Sequence, residues 1–252
     1  MKTIDLNADL GESFGIYSFG HDHELLDVVS SANVACGFHA GDYQTIPKTI
    51  QLAKDKGVAI GAHPGFPDLK GFGRKQLDLN LDEIYDLVVY QLGAFQGFAQ
   101  LYGLEVQHVK PHGALYNMAN RNYEMAQTIA QAVCDFNPKL KLFGLCNSFL
   151  VEAGREKGLD IVQEAFADRT YTEEGLLMPR HEPGSVKHQL EDIVEQVINI
   201  VKNERVLTNN GTYVKLNADT ICLHGDTPEA AQNARLIKQA LEDEQIQIKS
   251  LE

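Results

Sequence analysis

The chain is short of positive charge: 22 Lys and Arg stand against 35 Asp and Glu, a formal net charge of −13 at pH 7 over 252 residues. Nucleic-acid surfaces need clustered Lys and Arg to release counterions, so this balance argues against a nucleic-acid partner, and equally against an anionic membrane surface. Cysteine is scarce as well. Cys36, Cys134, Cys146 and Cys222 form no C-x-x-C pair, and the expected reading is four small apolar side chains kept as thiols in a cytoplasmic protein. No apolar run reaches the roughly 20 residues that span a bilayer. The opening MKTIDLNADL carries acids too early for a signal peptide. There is no G-x-x-x-x-G-K-[ST] loop and no G-x-G-x-x-G fingerprint, so a nucleotide would need a different kind of site. No Pro/Ser-rich linker or charge block marks a domain boundary.

What the chain does have is alternation. Short apolar runs at Thr3–Ala8, Ala32–Cys36, Val58–Ala62, Val106–Lys110, Lys141–Leu145, Asp160–Ala165 and Thr220–Leu223 read as strands. Segments of helical period lie between them; one, TIPKTIQLAKDKG, ends on Gly57, a helix-stop signal. Strand–helix alternation predicts a parallel α/β sheet, either an open doubly wound sheet or a closed barrel, and a chain of this length suits a single domain over residues 1–252. Two segments break the repeat: a Gly/Pro-rich loop at about 63–80, and a hairpin at about 207–218 around Asn210–Gly211.

The residues able to do chemistry follow the strands. Asn7, Asp9 and Glu12 come after the first, His39 and Asp42 after the second, and His63 after the third. Lys110, His112 and Tyr116 follow the fourth, Asp168 and Arg169 the sixth, His224 and Asp226 the last. In a parallel barrel all these ends open on one face, where the loops build a single site. The first strand supports the barrel: Thr3, Asp5, Asn7 and Asp9 alternate with Ile4, Leu6, Ala8 and Leu10. A parallel strand is normally apolar on both faces, so its polar face needs a wet lumen. Asp42 has two readings, a cap for the next helix or a partner that orients His39.

The stretches DLNADLGES, SSANVACGFHAGD, IGAHPGFPD, GFGRK, VKPHGALYN, EAFADRTY, LMPR and ICLHGD together resemble the LamB/YcsF family of prokaryotic 5-oxoprolinase A subunits. The resemblance runs from about Asp5 to Asp226. It implies a distorted β/α barrel related to polysaccharide deacetylases. It also implies ATP-dependent opening of 5-oxo-L-proline (pyroglutamate) to L-glutamate together with subunits B and C. Two places depart from the family pattern, Asp42–Tyr43 and Arg74–Lys75; a lysine at 75 cannot grip an anion bidentately as arginine can.

A site for a small lactam carboxylate needs a cation, donors for the amide oxygen and a base. Arg74, Lys110, Arg169 and Arg180 are the candidate cations, Arg169 foremost. Asp9, His39, His63, Lys110, His112 and His224 are the candidate catalytic groups. Asn7, Glu12, Asp42, Arg74, Tyr116, Asp168, Arg169 and Asp226 are expected around the substrate. ATP binds either near GFGRK or on a partner subunit. Two other readings stand beside this one. A metal-dependent amidohydrolase or deacetylase, acting on a small amide or N-acetyl sugar, would hold a divalent ion on Asp9, His39 and His63. A non-catalytic small-molecule-binding subunit would not need so many titratable groups.

Overall fold

The computed structural model describes residues 2–223 and 230–251. Its elements run β1 (Lys2–Leu10), α1 (Asp22–Leu25), β2 (Ser31–Ala35), α2 (Thr45–Lys56), β3 (Ala59–His63), α3 (Leu81–Leu101), β4 (Val106–Val109), α4 (Gly113–Ala119) and α5 (Tyr123–Phe136). They continue with β5 (Lys141–Leu145), α6 (Phe149–Glu156), β6 (Ile161–Phe166), α7 (Leu190–Asn203), β7 (Arg205–Leu207), β8 (Tyr213–Lys215), β9 (Thr220–Leu223), α8 (Ala230–Asp243) and β10 (Ile246–Ile248).

Strands pair in parallel in the order β1-β2-β3-β4-β5-β6-β9, and β9 returns to β1, closing a seven-stranded barrel. These are the seven strands read from the sequence. β1 extends below the closure, where Lys2–Ile4 pair with β10. β7 and β8 pair antiparallel outside the barrel.

The alternation in β1 is what divides the interior. Ile4, Leu6, Ala8 and Leu10 are buried in the apolar layer between barrel and helices. Asp5 and Asn7 are buried too, facing the other way. His108 on β4 reaches Asn33 on β2 at 2.8 Å, although β3 lies between their strands. That bond can only cross the lumen. Ser31, Asn33, His108, Glu164 and Thr220 share this buried polar interior, so the barrel axis is filled with hydrogen-bonded side chains.

Local signals place the loops. α2 stops at Gly57, which adopts φ 69°. α3 starts at a reciprocal capping box between Asn80 and Glu83. Buried Gln91 on α3 binds the backbone of Gly65 twice, donating to its carbonyl at 3.0 Å and accepting from its N–H at 2.9 Å. The loop after β3 is thereby held against the barrel mouth.

Candidate active site

The strand ends converge as parallel topology requires. Asp9, Glu12, His63, Lys110, His112, Tyr116, Arg74 and Arg169 line one cavity of about 620 Å³, together with Arg121, Phe166 and Arg180. Proline and glycine set the approach of two loops: Pro111 follows Lys110, and Gly113 turns into α4 at φ 54°.

Lys110 lies at the floor. Its ammonium is 2.7 Å from Glu164, 3.0 Å from Asp9, 3.1 Å from Cys222 Sγ and 3.2 Å from Asn7 Oδ1. Burial works against its charge, but Asp9 and Glu164 outweigh burial and hold its pKa well above the ordinary lysine value. Burial likewise favours a neutral Asp9, yet His63 and Lys110 hold it well below the usual carboxylate range. The pair is therefore charged, an ammonium beside a carboxylate. The Lys110 ammonium thus sits between two carboxylates. The Tyr116 hydroxyl donates to Glu164 at 2.7 Å, completing the second carboxylate's shell.

Three histidines sit above this pair. His39 stacks on His112 with ring centroids 3.7 Å apart and planes 3° apart. Burial, with the neighbouring histidines, pushes the pKa of both well below the ordinary histidine value, so both are neutral. Backbone carbonyls fix two tautomers. His63 Nδ1–H donates to the carbonyl of Lys110 at 2.6 Å, and His112 Nε2–H donates to that of Phe72 at 2.9 Å. The remaining nitrogens, His63 Nε2 and His112 Nδ1, lie 2.9 Å apart, within hydrogen-bonding distance of each other. Asp9 Oδ2 is 3.3 Å from His63 Nε2, and Glu12 Oε1 is 3.7 Å from His112 Nδ1 and 3.3 Å from His39 Nε2. Imidazole nitrogens and carboxylate oxygens thus gather above the floor, an arrangement that suits a shared proton or a cation.

The same geometry tests a metal. One ligand atom each from Glu12, His39, His63 and His112 lies within 4.8 Å of the others. Carbonyls fix the far nitrogens of His63 and His112, as outer partners do in metal sites. The donor set fits a divalent ion of the zinc type. It differs from the expected trio by adding Glu12 and His112, while Asp9 pairs with Lys110.

Other expected residues lie elsewhere. Asp42 caps the turn into α2, accepting from Gln44 N at 2.9 Å and Thr45 N at 2.7 Å, and its other oxygen accepts from Gly15 N at 2.7 Å. Of its two readings the cap is what the structure contains; the carboxylate facing His39 belongs to Glu12. Arg169 does not present an open fork as expected. Buried, it donates to the carbonyls of Met178 and Ser185 and clamps the 169–186 loop. Asn7 lies below the cavity in the lumen. Asp168 is outside the cavity lining, its carbonyl accepting from Lys187 N at 2.7 Å. His224 and Asp226 lie outside the described residues. Sequence reasoning passed over Glu164 as a site residue; its signal was a lone acid inside the apolar run IVQEAF.

This barrel, with its floor of His and carboxylate groups, has relatives. The LamB/YcsF family matches over residues 4–252. The chain belongs to that family. The 5-oxoprolinase A subunit of Staphylococcus aureus strain JH9 is 50% identical, over 98% of this chain and 99% of that protein. A solved "lactam utilization protein" from Thermus thermophilus superposes with a TM-score of 0.93 at 44% identity, covering 99% of this chain and 100% of that one. A family 4 carbohydrate esterase from Streptomyces lividans superposes with a TM-score of 0.50 at 12% identity, covering 100% of this chain and 93% of that one. That last likeness shows a shared deacetylase-like barrel.

Proposed function

We propose that this LamB/YcsF chain is the lactam-opening subunit of an ATP-dependent 5-oxoprolinase, acting in the cytoplasm with subunits B and C to convert 5-oxo-L-proline to L-glutamate. One observation carries the chemistry: His63, His112, Asp9 and Glu12 gather beside a buried ammonium on the floor of the cavity. Water held there loses a proton to His63 Nε2 as its oxygen attacks the lactam carbon. The Lys110 ammonium faces the charge that develops on the lactam oxygen. The C–N bond then breaks, and the proton passes to the leaving nitrogen. Arg74 and Arg180, which line the cavity, are assigned to the substrate carboxylate in place of Arg169. An unstrained amide resists this attack. ATP makes it feasible by phosphorylating the lactam oxygen first: water attacks the phosphorylated carbon, C–N cleavage leaves an acyl phosphate on the new carboxyl group, and a second water releases inorganic phosphate and glutamate, with Lys110 facing the charge on the phosphorylated oxygen. With neither standard phosphate loop in the sequence, we assign the nucleotide to a partner subunit.

The donor set on His39, His63, His112 and Glu12 favours a metal-assisted version of the same hydrolysis. A divalent ion there would bring the pKa of a bound water toward neutrality. A purely binding subunit would leave these grouped titratable side chains without a use.

The test is glutamate release from 5-oxo-L-proline by the assembled subunits with ATP. Asp9→Asn and His63→Ala should each lower kcat by about 10²- to 10⁴-fold, the usual worth of a proton-transfer group. Activity retained by both variants would overturn the site assignment. Elemental analysis of protein purified without chelator, before and after dialysis against EDTA, decides the metal: less than a tenth of an equivalent bound excludes it.

A further inference from the structure

Beneath the cavity lies a buried histidine that this mechanism does not use. The register of β3 against β4 shifts where His108 sits. Ile60 is opposite Val106, but Gly61 is opposite His108, so Gln107 is an extra residue in β4. Such a bulge re-aims the side chain beside it. The His108 ring is held on both faces. It stacks on Phe143 with centroids 4.2 Å apart, and a Cβ on Gly61 would come within 2.1 Å of its Cδ2. From there a chain of hydrogen bonds climbs to the active site.

The ends of that chain set its polarity. Lys110 can only donate, and it reaches Asn7 Oδ1 at 3.2 Å. The Asn7 amide nitrogen therefore points down, donating to Thr220 Oγ1 at 2.8 Å; the Thr220 hydroxyl in turn donates to Asp5. With Asn7 Oδ1 fixed as an acceptor, the group 2.7 Å from it must be the Asn33 amide nitrogen. That nitrogen also donates to Asp9 Oδ1 at 2.9 Å. Asn33 Oδ1 then faces His108 Nε2 at 2.8 Å and requires a proton on it. The opposite nitrogen, Nδ1, is 3.1 Å from Gln107 Oε1, and the Gln107 amide nitrogen meets the Leu251 carbonyl at 2.6 Å. Gln107 is only half-buried, so its amide can turn toward Nδ1 and leave that carbonyl to water. Asn33 is fully buried with every side-chain hydrogen-bonding group committed, and its demand decides the tautomer. Burial, with Lys110 nearby, holds the His108 ring neutral, its pKa down to about 3. It is a fixed donor at any working pH.

We propose that His108 and Asn33 are positioning residues for Asp9. The His108 N–H sets the Asn33 amide, and Asn33 holds the Asp9 carboxylate so that Oδ1 meets Lys110 while Oδ2 faces His63. The inference rests on the reading of Asp9 as a catalytic group.

The test uses the assembled subunits and four variants. Asn33→Ala and His108→Phe remove one link each and should lower kcat by about 10- to 100-fold, as loss of an outer-shell partner does, with KM unchanged within about threefold. His108→Gln keeps an N–H donor in a similar place and should restore kcat to within about fivefold of the parent. Equal kcat in the Phe and Gln variants overturns the proposal, and that comparison stands even if Asn33→Ala does not fold. Asp9→Asn separates the two claims. Parental kcat in Asp9→Asn refutes the catalytic reading of Asp9, while an inactive Asp9→Asn beside a fully active His108→Phe refutes only the positioning role. Two measurements need no activity. Nitrogen-15 NMR of the parent protein should show His108 as the Nε2–H tautomer, and a crystal structure of His108→Phe should show the Asp9 carboxylate turned from Lys110. The Nδ1–H tautomer, or an unmoved carboxylate, overturns the proposal.

Discussion

Asp42 shows how one side chain joins two loops. Three backbone N–H groups converge on its carboxylate, one from the Phe14–Tyr17 turn and two from the entry to α2. Burial pulls its pKa upward, but those N–H groups outweigh it and bring the value down to about 2. An unfolded aspartate titrates at about 3.9. A depressed folded pKa stabilises above the unfolded value and is lost as pH falls through the folded one. Asp42→Ala should cost about 1 kcal/mol at pH 6, the usual worth of a cap. The gap in melting temperature between parent and variant should close between about pH 4 and pH 2; a gap that stays constant would refute this account. Lys110 is the opposite case, a buried cation between two carboxylates. Lys110→Met leaves Asp9 and Glu164 uncompensated and should destabilise by about 3–5 kcal/mol in denaturant titrations. Sequence reading reached Asp9, Lys110 and the three histidines because strand ends announce themselves. It did not name Glu164, Asn33 or His108 as site residues. Each shares a short strand with another polar residue, Ser31 with Asn33, Gln107 with His108 and Gln163 with Glu164, and its partners come from strands that meet only when the barrel closes. The Gln107 bulge, which aims His108 inward, leaves no mark in the residue pattern.

Among the elements, the loop after β3 carries the greatest functional load. Its Phe72 carbonyl fixes the His112 tautomer, and Gly73 closes over the histidines. A Cβ on Gly73 would meet His39 Cβ at 2.6 Å and His112 Cδ2 at 2.9 Å, at a φ of 62° that side chains rarely adopt. Gly73→Ala should therefore abolish lactam opening while far-ultraviolet circular dichroism stays that of the parent. Asn80→Ala, at the far end of the same loop, should do the reverse. It removes the α3 capping box, costs about 1 kcal/mol, and leaves kcat within twofold. If both variants lose activity alike, the loop acts as one unit and the contrast fails. The barrel strands were legible because each is a short apolar run bounded by turn residues. β10, α4 and α6 carry no such signal in the sequence. A three-residue strand such as β10 carries no period to detect. The eight-residue α6 is about two turns, too short for a helical repeat to stand out from the strand before it.

At the scale of the whole molecule, charge and site pull in opposite directions. The chain carries a net −13, which repels an anionic substrate, while Arg74, Lys110, Arg121, Arg169 and Arg180 gather at the cavity. The two fields differ in range. At 10 mM salt the Debye length is about 30 Å, so a ligand at the mouth feels the whole acidic surface; at 150 mM it is about 8 Å, and only the nearest charges count. At 1 M it falls to about 3 Å, and the arginines are screened as well. Affinity for 5-oxo-L-proline should therefore rise from 10 to 150 mM salt and fall again toward 1 M. The neutral lactam 2-pyrrolidinone should bind with little dependence on salt. Calorimetric titration of both ligands across this range separates the contributions. A steady fall for the anion would mean that the cavity cations dominate at every distance. A flat response would mean that these arginines are neutralised by their own partners, and the carboxylate assignment to Arg74 and Arg180 would then fail.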